Sequence, residues 1–150
     1  MRQKVIWHIL ILAVLIGAAH LAAIRFYLYF WVRGYDIPMH IVGGALIAMC
    51  ALWFWFLSGW VKIPLEKKWI YSLTMISVLV VAIVWEIWEE VFGLTGNSTN
   101  FQKRLDLSKD LIDDVLGAVL VLYFYTSKIL AEKNKGGDET QIISTLSTKR

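Results

Sequence analysis

Apolar residues run without a single charge from Val5 to Ile24, from Met39 to Val61 and from Ile70 to Trp85. A helix needs about 20 mostly apolar residues to cross the hydrocarbon core of a bilayer. Each run therefore predicts a transmembrane helix. A shorter apolar segment, Val115 to Tyr125, follows an acidic stretch and predicts a fourth span over Ser108–Leu130. The expected fold is all-α: an integral membrane bundle of four transmembrane helices at about 5–31, 38–61, 69–92 and 108–130, with a polar cytoplasmic tail over 131–150. The first helix is carried to residue 31 because Phe26-Tyr27-Leu28-Tyr29-Phe30-Trp31 resembles an interfacial aromatic belt. The basic start, Met1 to Lys4, before an apolar run also fits a signal peptide. That run exceeds the usual length of such regions, so an uncleaved first helix is expected.

Short connections make consecutive helices antiparallel neighbours. The longest connection, Gly93 to Leu107, is rich in Gly and Asn and reads as a lid over one mouth of the bundle. Within it, Asn97-Ser98-Thr99 matches a glycosylation acceptor triplet.

Composition agrees with the pattern. In 150 residues, enough for one domain, 58% are hydrophobic and the mean hydropathy is +0.59, above the soluble norm. The lone Cys50 excludes an intrachain disulfide and reads as a small packing residue. No P-loop, dinucleotide glycine motif or cysteine metal motif occurs, which removes the function classes that depend on them.

Charge adds an orientation. The net +3 hides a polarised distribution. Arg2, Lys4, Lys62, Lys67, Lys68, Lys128 and the basic residues of the tail fall on one side of the four spans. Fewer, namely Arg25, Arg33, Lys103, Arg104 and Lys109, fall on the other. The positive-inside rule then places both termini in the cytoplasm. Anionic lipid accounts for the basic side, and no nucleic-acid partner is expected. Most acids lie opposite: Asp36, Glu86, Glu89, Glu90, Asp106, Asp110, Asp113 and Asp114.

Those acids carry the candidate chemistry. Carboxylates within spans are costly unless they face protein or water. The start of the second helix, the end of the third and the start of the fourth all reach the same face of the membrane. Asp36 and His40, the Glu group and the Asp group therefore meet at one depth. Residues three or four apart share a helix face, which turns His40, Glu86, Glu89, Asp110 and Asp114 inward and leaves Glu90 and Asp113 at the rim. His40, Gly43, Gly44 and Ala48 form one seam, and Asp110, Asp114 and Gly117 another, along which small residues admit close helix approach. Asp36, two residues before Pro38, reads as the cap of the second helix. His8 and His20 have no acidic neighbour at helical spacing and read as packing residues. Interfacial solvation and the dipole at the start of the fourth helix account for Asp110 and extend to Asp113. Neither accounts for Glu86, which sits about 10 Å below its helix end, where the dipole opposes an anion. Clustered carboxylates must share protons, bind a cation or pair with a base such as Arg33, Arg104 or Lys109. The metal-ligand set is His40, Glu86, Glu89, Asp110 and Asp114, an oxygen-rich group suited to Mg²⁺, Ca²⁺ or Mn²⁺, with Zn²⁺ also compatible.

At these residues the chain resembles the VanZ-like group of small bacterial membrane proteins and the related YjdF-type inner-membrane proteins. The shared pattern is Asp36-xxx-His40, Glu86-xx-Glu89 and Arg104 … Asp110-xxx-Asp114-xx-Gly117. Glu89 stands where the pattern has Gln and Asp114 where it has Asn, which makes this site more acidic. Trp85-Glu86-Ile87-Trp88-Glu89 is nearer the YjdF type. The resemblance implies a four-helix membrane fold with a shared polar site, and some relatives are linked to glycopeptide resistance at the envelope.

The leading expectation is an outward-facing acidic pocket in the cell membrane that binds a cation, a divalent ion being compatible, or a polar envelope or lipid substrate. For an enzyme, metal-assisted hydrolysis or transfer is the class, with His40, Glu86, Asp110 and Asp114 holding metal or moving protons and Arg104 contacting phosphate. The alternatives are a proton- or cation-coupled transporter, which would need an oligomer to form a pore, and a non-catalytic scaffold fixed by its polar cluster.

Overall fold

In the computed structural model, residues 2–92 and 99–147 are described, apart from the side chains of Asn100 and residues 133–147. The first helix, α1, spans Arg2–Arg25. It stops short of residue 31 because Tyr27 adopts the left-handed conformation, φ 55°, after which a single turn, α2, covers Leu28–Trp31. A bulky residue there is uncommon. The turn is tied back to α1 by a 2.8 Å hydrogen bond between Tyr29 Oη and His20 Nδ1, and by Tyr35 donating to the Ala19 carbonyl at 3.2 Å.

Helix α3 spans Asp36–Leu52 and widens into a π-helical turn over Trp53–Leu57. Asp36 is its first helical residue and makes no cap; Tyr35 precedes the helix without a side-chain cap. Helix α4 spans Lys67–Val91. Helix α5 runs over Asn100–Ser147, so it begins well before Ser108 and continues beyond Leu130. Its start is a capping box. The backbone N–H of Thr99 donates to Gln102 Oε1 at 3.0 Å, and that of Gln102 donates to Thr99 Oγ1 at 3.3 Å. The second half of the expected lid is therefore helix, while residues 93–98, with Asn97 and Ser98 of the acceptor triplet, lie outside the described residues.

No strand occurs among the described residues. Among the described residues, four helical stretches are long and apolar enough to cross a membrane: Arg2–Arg25, Asp36–Leu57, Lys67–Val91 and Phe101–Glu132. Three of them bury a stripe with a spacing of four residues. On α3 the stripe is His40, Gly44, Ala48 and Leu52; on α4 it is Ile70, Thr74, Val78 and Ala82; on α5 it is Asp110, Asp114, Ala118 and Leu122. Spacing of four keeps these residues on one helix face. The core lies where the stripes meet, at Ala48, Leu52, Ile70, Val78, Ala118 and Leu122. Helices α3 and α5 cross most closely of all. A β-carbon at Gly44 would overlap the Asp114 backbone, and one at Gly117 would overlap the Ile41 carbonyl. Helix α1 buries little, and Trp7, Leu10, Val14 and Leu15 on it form apolar surface for lipid.

Candidate functional site

The crossing at Gly44 and Gly117 draws the polar ends of two stripes together. One turn above Gly44, the His40 imidazole lies between acids from two helices. Its Nδ1 is 3.4 Å from Asp114 Oδ2, and its Nε2 is 3.4 Å from Asp36 Oδ1 and 3.8 Å from Asp110 Oδ1. His40, Asp110 and Asp114 are buried. The Asp36 side chain, 38% exposed, is the part of this group that reaches water.

A lysine completes the arrangement. Lys109 Nζ is 2.7 Å from Asp110 Oδ1, 3.0 Å from Asp36 Oδ2 and 3.4 Å from Asp106 Oδ1. The contact with Asp110 is the shortest of the three and pairs the ammonium with a buried carboxylate. The site thus gathers Asp36, Asp106, Asp110 and Asp114 about one ammonium and one imidazole. In a low-dielectric setting such charges are retained only when paired or hydrogen-bonded.

The remaining site residues expected from the sequence are placed less uniformly. Glu86 continues the buried α4 stripe by one further turn and is half-buried. Its Oε1 is shut from solvent with no hydrogen-bond partner among the described residues. Asp110, Glu89, His40 and Asp106 all lie within electrostatic reach of it. Glu89 instead accepts a 2.8 Å hydrogen bond from Trp85 Nε1 on its own helix. Glu90 pairs with Lys103 at 3.6 Å, away from His40. Asp113 is half-buried, with Oδ2 closed to solvent and accepting no bond among the described residues. Arg104 is exposed, and among the described residues its guanidinium makes no ion pair with the site. Of the three candidate bases, Arg33, Arg104 and Lys109, it is Lys109 that pairs with these acids among the described residues.

Two expectations about the acids change with the helix ends. Asp36 turns its carboxylate to His40 and Lys109 instead of capping α3. Asp110 lies ten residues into α5, beyond the first turn, so the helix dipole gives it no support. Its support comes from Lys109 and His40.

Tyr29, expected only as part of an interfacial aromatic belt, flanks the site. Tyr29 packs edge-on against both His20 and Tyr35. Burial, then the charge of Asp36, the Tyr35 phenol and the charge of Glu89, push the Tyr29 phenol up to about 12. It stays neutral beside the acids and keeps its hydrogen bond to His20. No spacing rule pointed to it, since its approach depends on the left-handed turn at Tyr27.

Three donor atoms, one each from Asp36, His40 and Asp110, lie within 4.8 Å of one another. Oxygens and nitrogens bound at about 2.0–2.6 Å to one ion stand no more than about 5 Å apart across it. The set fits a single cation, held by α3 and α5 together.

Apolar spans, an apolar core and a polar cluster at one end of the bundle define a multi-pass helical membrane protein. Within that class the chain belongs to the family described as "Predicted membrane protein (DUF2238)", whose family model matches residues 2–129. No curated protein and no solved structure matches it.

Proposed function

We propose that this multi-pass protein binds a hard divalent cation at the outward-facing mouth of its bundle in a bacterial or archaeal cell membrane, with both termini in the cytoplasm. One observation carries the reading: the donors of Asp36, His40 and Asp110 converge within 4.8 Å from two helices. Asp114 orients the imidazole from its other nitrogen, as carboxylates beside ligating histidines do. Glu86 adds negative charge from α4. Such a cation would act as a Lewis acid on a polar headgroup of a lipid or envelope substrate, which makes metal-assisted hydrolysis or transfer the reaction class to test. The motif spacing shared with VanZ-like and YjdF-type proteins supports a common polar site.

Transport is the second reading, because His40 has carboxylates at both ring nitrogens and resembles a proton relay. Below Asp114, however, the buried residues form a mostly apolar layer of Ala48, Leu52, Val78, Ala118 and Leu122, joined by the hydroxyls of Thr74 and Thr126 and, among the described residues, by no buried acid, histidine or lysine. That apolar layer favours a site at the mouth over a path through one bundle. A scaffold role draws less support, since the glycine crossing brings α3 and α5 together through backbone, including that of Asp114, without using the acidic side chains.

The test is ion binding by the purified protein in detergent. Wild type at saturating Mn²⁺ is expected to hold about one ion per chain, and Asp110→Asn to lose roughly a hundred-fold or more in affinity. A folded wild-type protein that takes up no ion would overturn the cation reading.

A further inference from the structure

We propose that Lys109 is a built-in competing cation: its ammonium occupies the site at rest, and a divalent ion enters by displacing it. The inference rests on the cation reading above and specifies how that site is controlled. Lys109 Nζ bridges Asp110 at 2.7 Å and Asp36 at 3.0 Å, two of the three residues whose donors converge. An ion held by those carboxylates at about 2.0–2.6 Å would stand almost where the ammonium does. Both cannot keep the same oxygens.

Position decides which group yields. Asp110 and His40 are fixed in the packed crossing, with Asp110 only 3% exposed. Lys109 comes one residue before Asp110, about 100° around the helix from the buried stripe, and its side chain is 38% exposed. It reaches the acids from the flank on a flexible four-carbon stem. It can therefore swing into water without unpacking α3 from α5. Asp106, 66% exposed and one turn earlier on α5, lies 3.4 Å from the ammonium and offers a resting place at the rim. An arginine at this position would hold two carboxylates in a rigid fork. A lysine gives a point charge that leaves more readily, which suits a displaceable occupant better than a permanent brace.

The experiment is Mn²⁺ titration of the full chain in detergent, with free ion read by electron paramagnetic resonance. Lys109→Gln is expected to bind Mn²⁺ roughly ten-fold more tightly than wild type. Equal or weaker binding by the folded variant, with wild type still binding, overturns the displacement and leaves the cation reading standing. A wild type that binds no Mn²⁺ overturns the cation reading and the displacement with it. Acylation of wild-type lysines provides a readout that needs no variant. On Mn²⁺ saturation, modification of Lys109 should rise several-fold relative to Lys62, read by peptide mass spectrometry. Unchanged or reduced labelling of Lys109 in an ion-loaded protein overturns the proposal.

Discussion

His40 is the residue on which the site turns. Each ring nitrogen faces a carboxylate, so either neutral tautomer has an N–H to donate and a neighbour placed to accept it. Asp110 differs from Glu86 in kind. Asp110 contributes one of the converging donor atoms, whereas Glu86 acts on them through its charge. Glu86→Gln is accordingly expected to weaken Mn²⁺ binding by roughly five-fold, because it removes a nearby carboxylate but no ligand. A loss as large as that of Asp110→Asn would make Glu86 a ligand and redraw the site. Glu86 was legible as a buried acid because depth and dipole both opposed a surface role. Lys109 was legible only as one of three nearby bases. Its choice over Arg104 depends on which α5 side chain faces Asp36, a matter of helix rotation.

Two elements hold the site in place, and the sequence exposed them unequally. The small-residue seams on α3 and α5 pointed to a close crossing, and Gly44 and Gly117 form it. Gly117→Ala would drive a methyl into the Ile41 carbonyl and the Ala45 amide. Overpacking of this kind costs about 1–3 kcal/mol. The variant should unfold at lower denaturant and lose Mn²⁺ binding, because His40 parts from Asp114. Gly17→Ala, where no neighbour lies within 4 Å, is the control and should change neither. Wild-type behaviour from Gly117→Ala would show that the crossing does not set the site. The early start of α5 had a signal that hydrophobicity could not reveal. Thr99-Asn100-Phe101-Gln102 has the spacing of a capping box, but it precedes an acidic and basic stretch instead of an apolar run. Apolar periodicity alone therefore set the helix start too late.

At the scale of the molecule, the charge asymmetry makes an orientation testable. In a Cys50→Ala background, Arg33→Cys in intact cells should react with a membrane-impermeant maleimide. Lys62→Cys should react only after permeabilisation. The reverse pattern would place the acidic mouth in the cytoplasm and sink the outward-facing reading. Four apolar spans, an all-helical chain and an acidic face followed from residue order alone, because bilayer thickness fixes how long an uncharged helix must be. Helical spacing also sorted most of the inward residues, since that periodicity is a property of the helix itself. The tertiary structure decided what meets across helices. It set Lys109 among Asp36, Asp106 and Asp110, left Arg104 exposed, and brought His40 between acids from α3 and α5. Those pairings depend on the rotation and closeness of two helices whose contacting residues, such as His40 and Asp114, lie 74 positions apart, information that no local pattern contains.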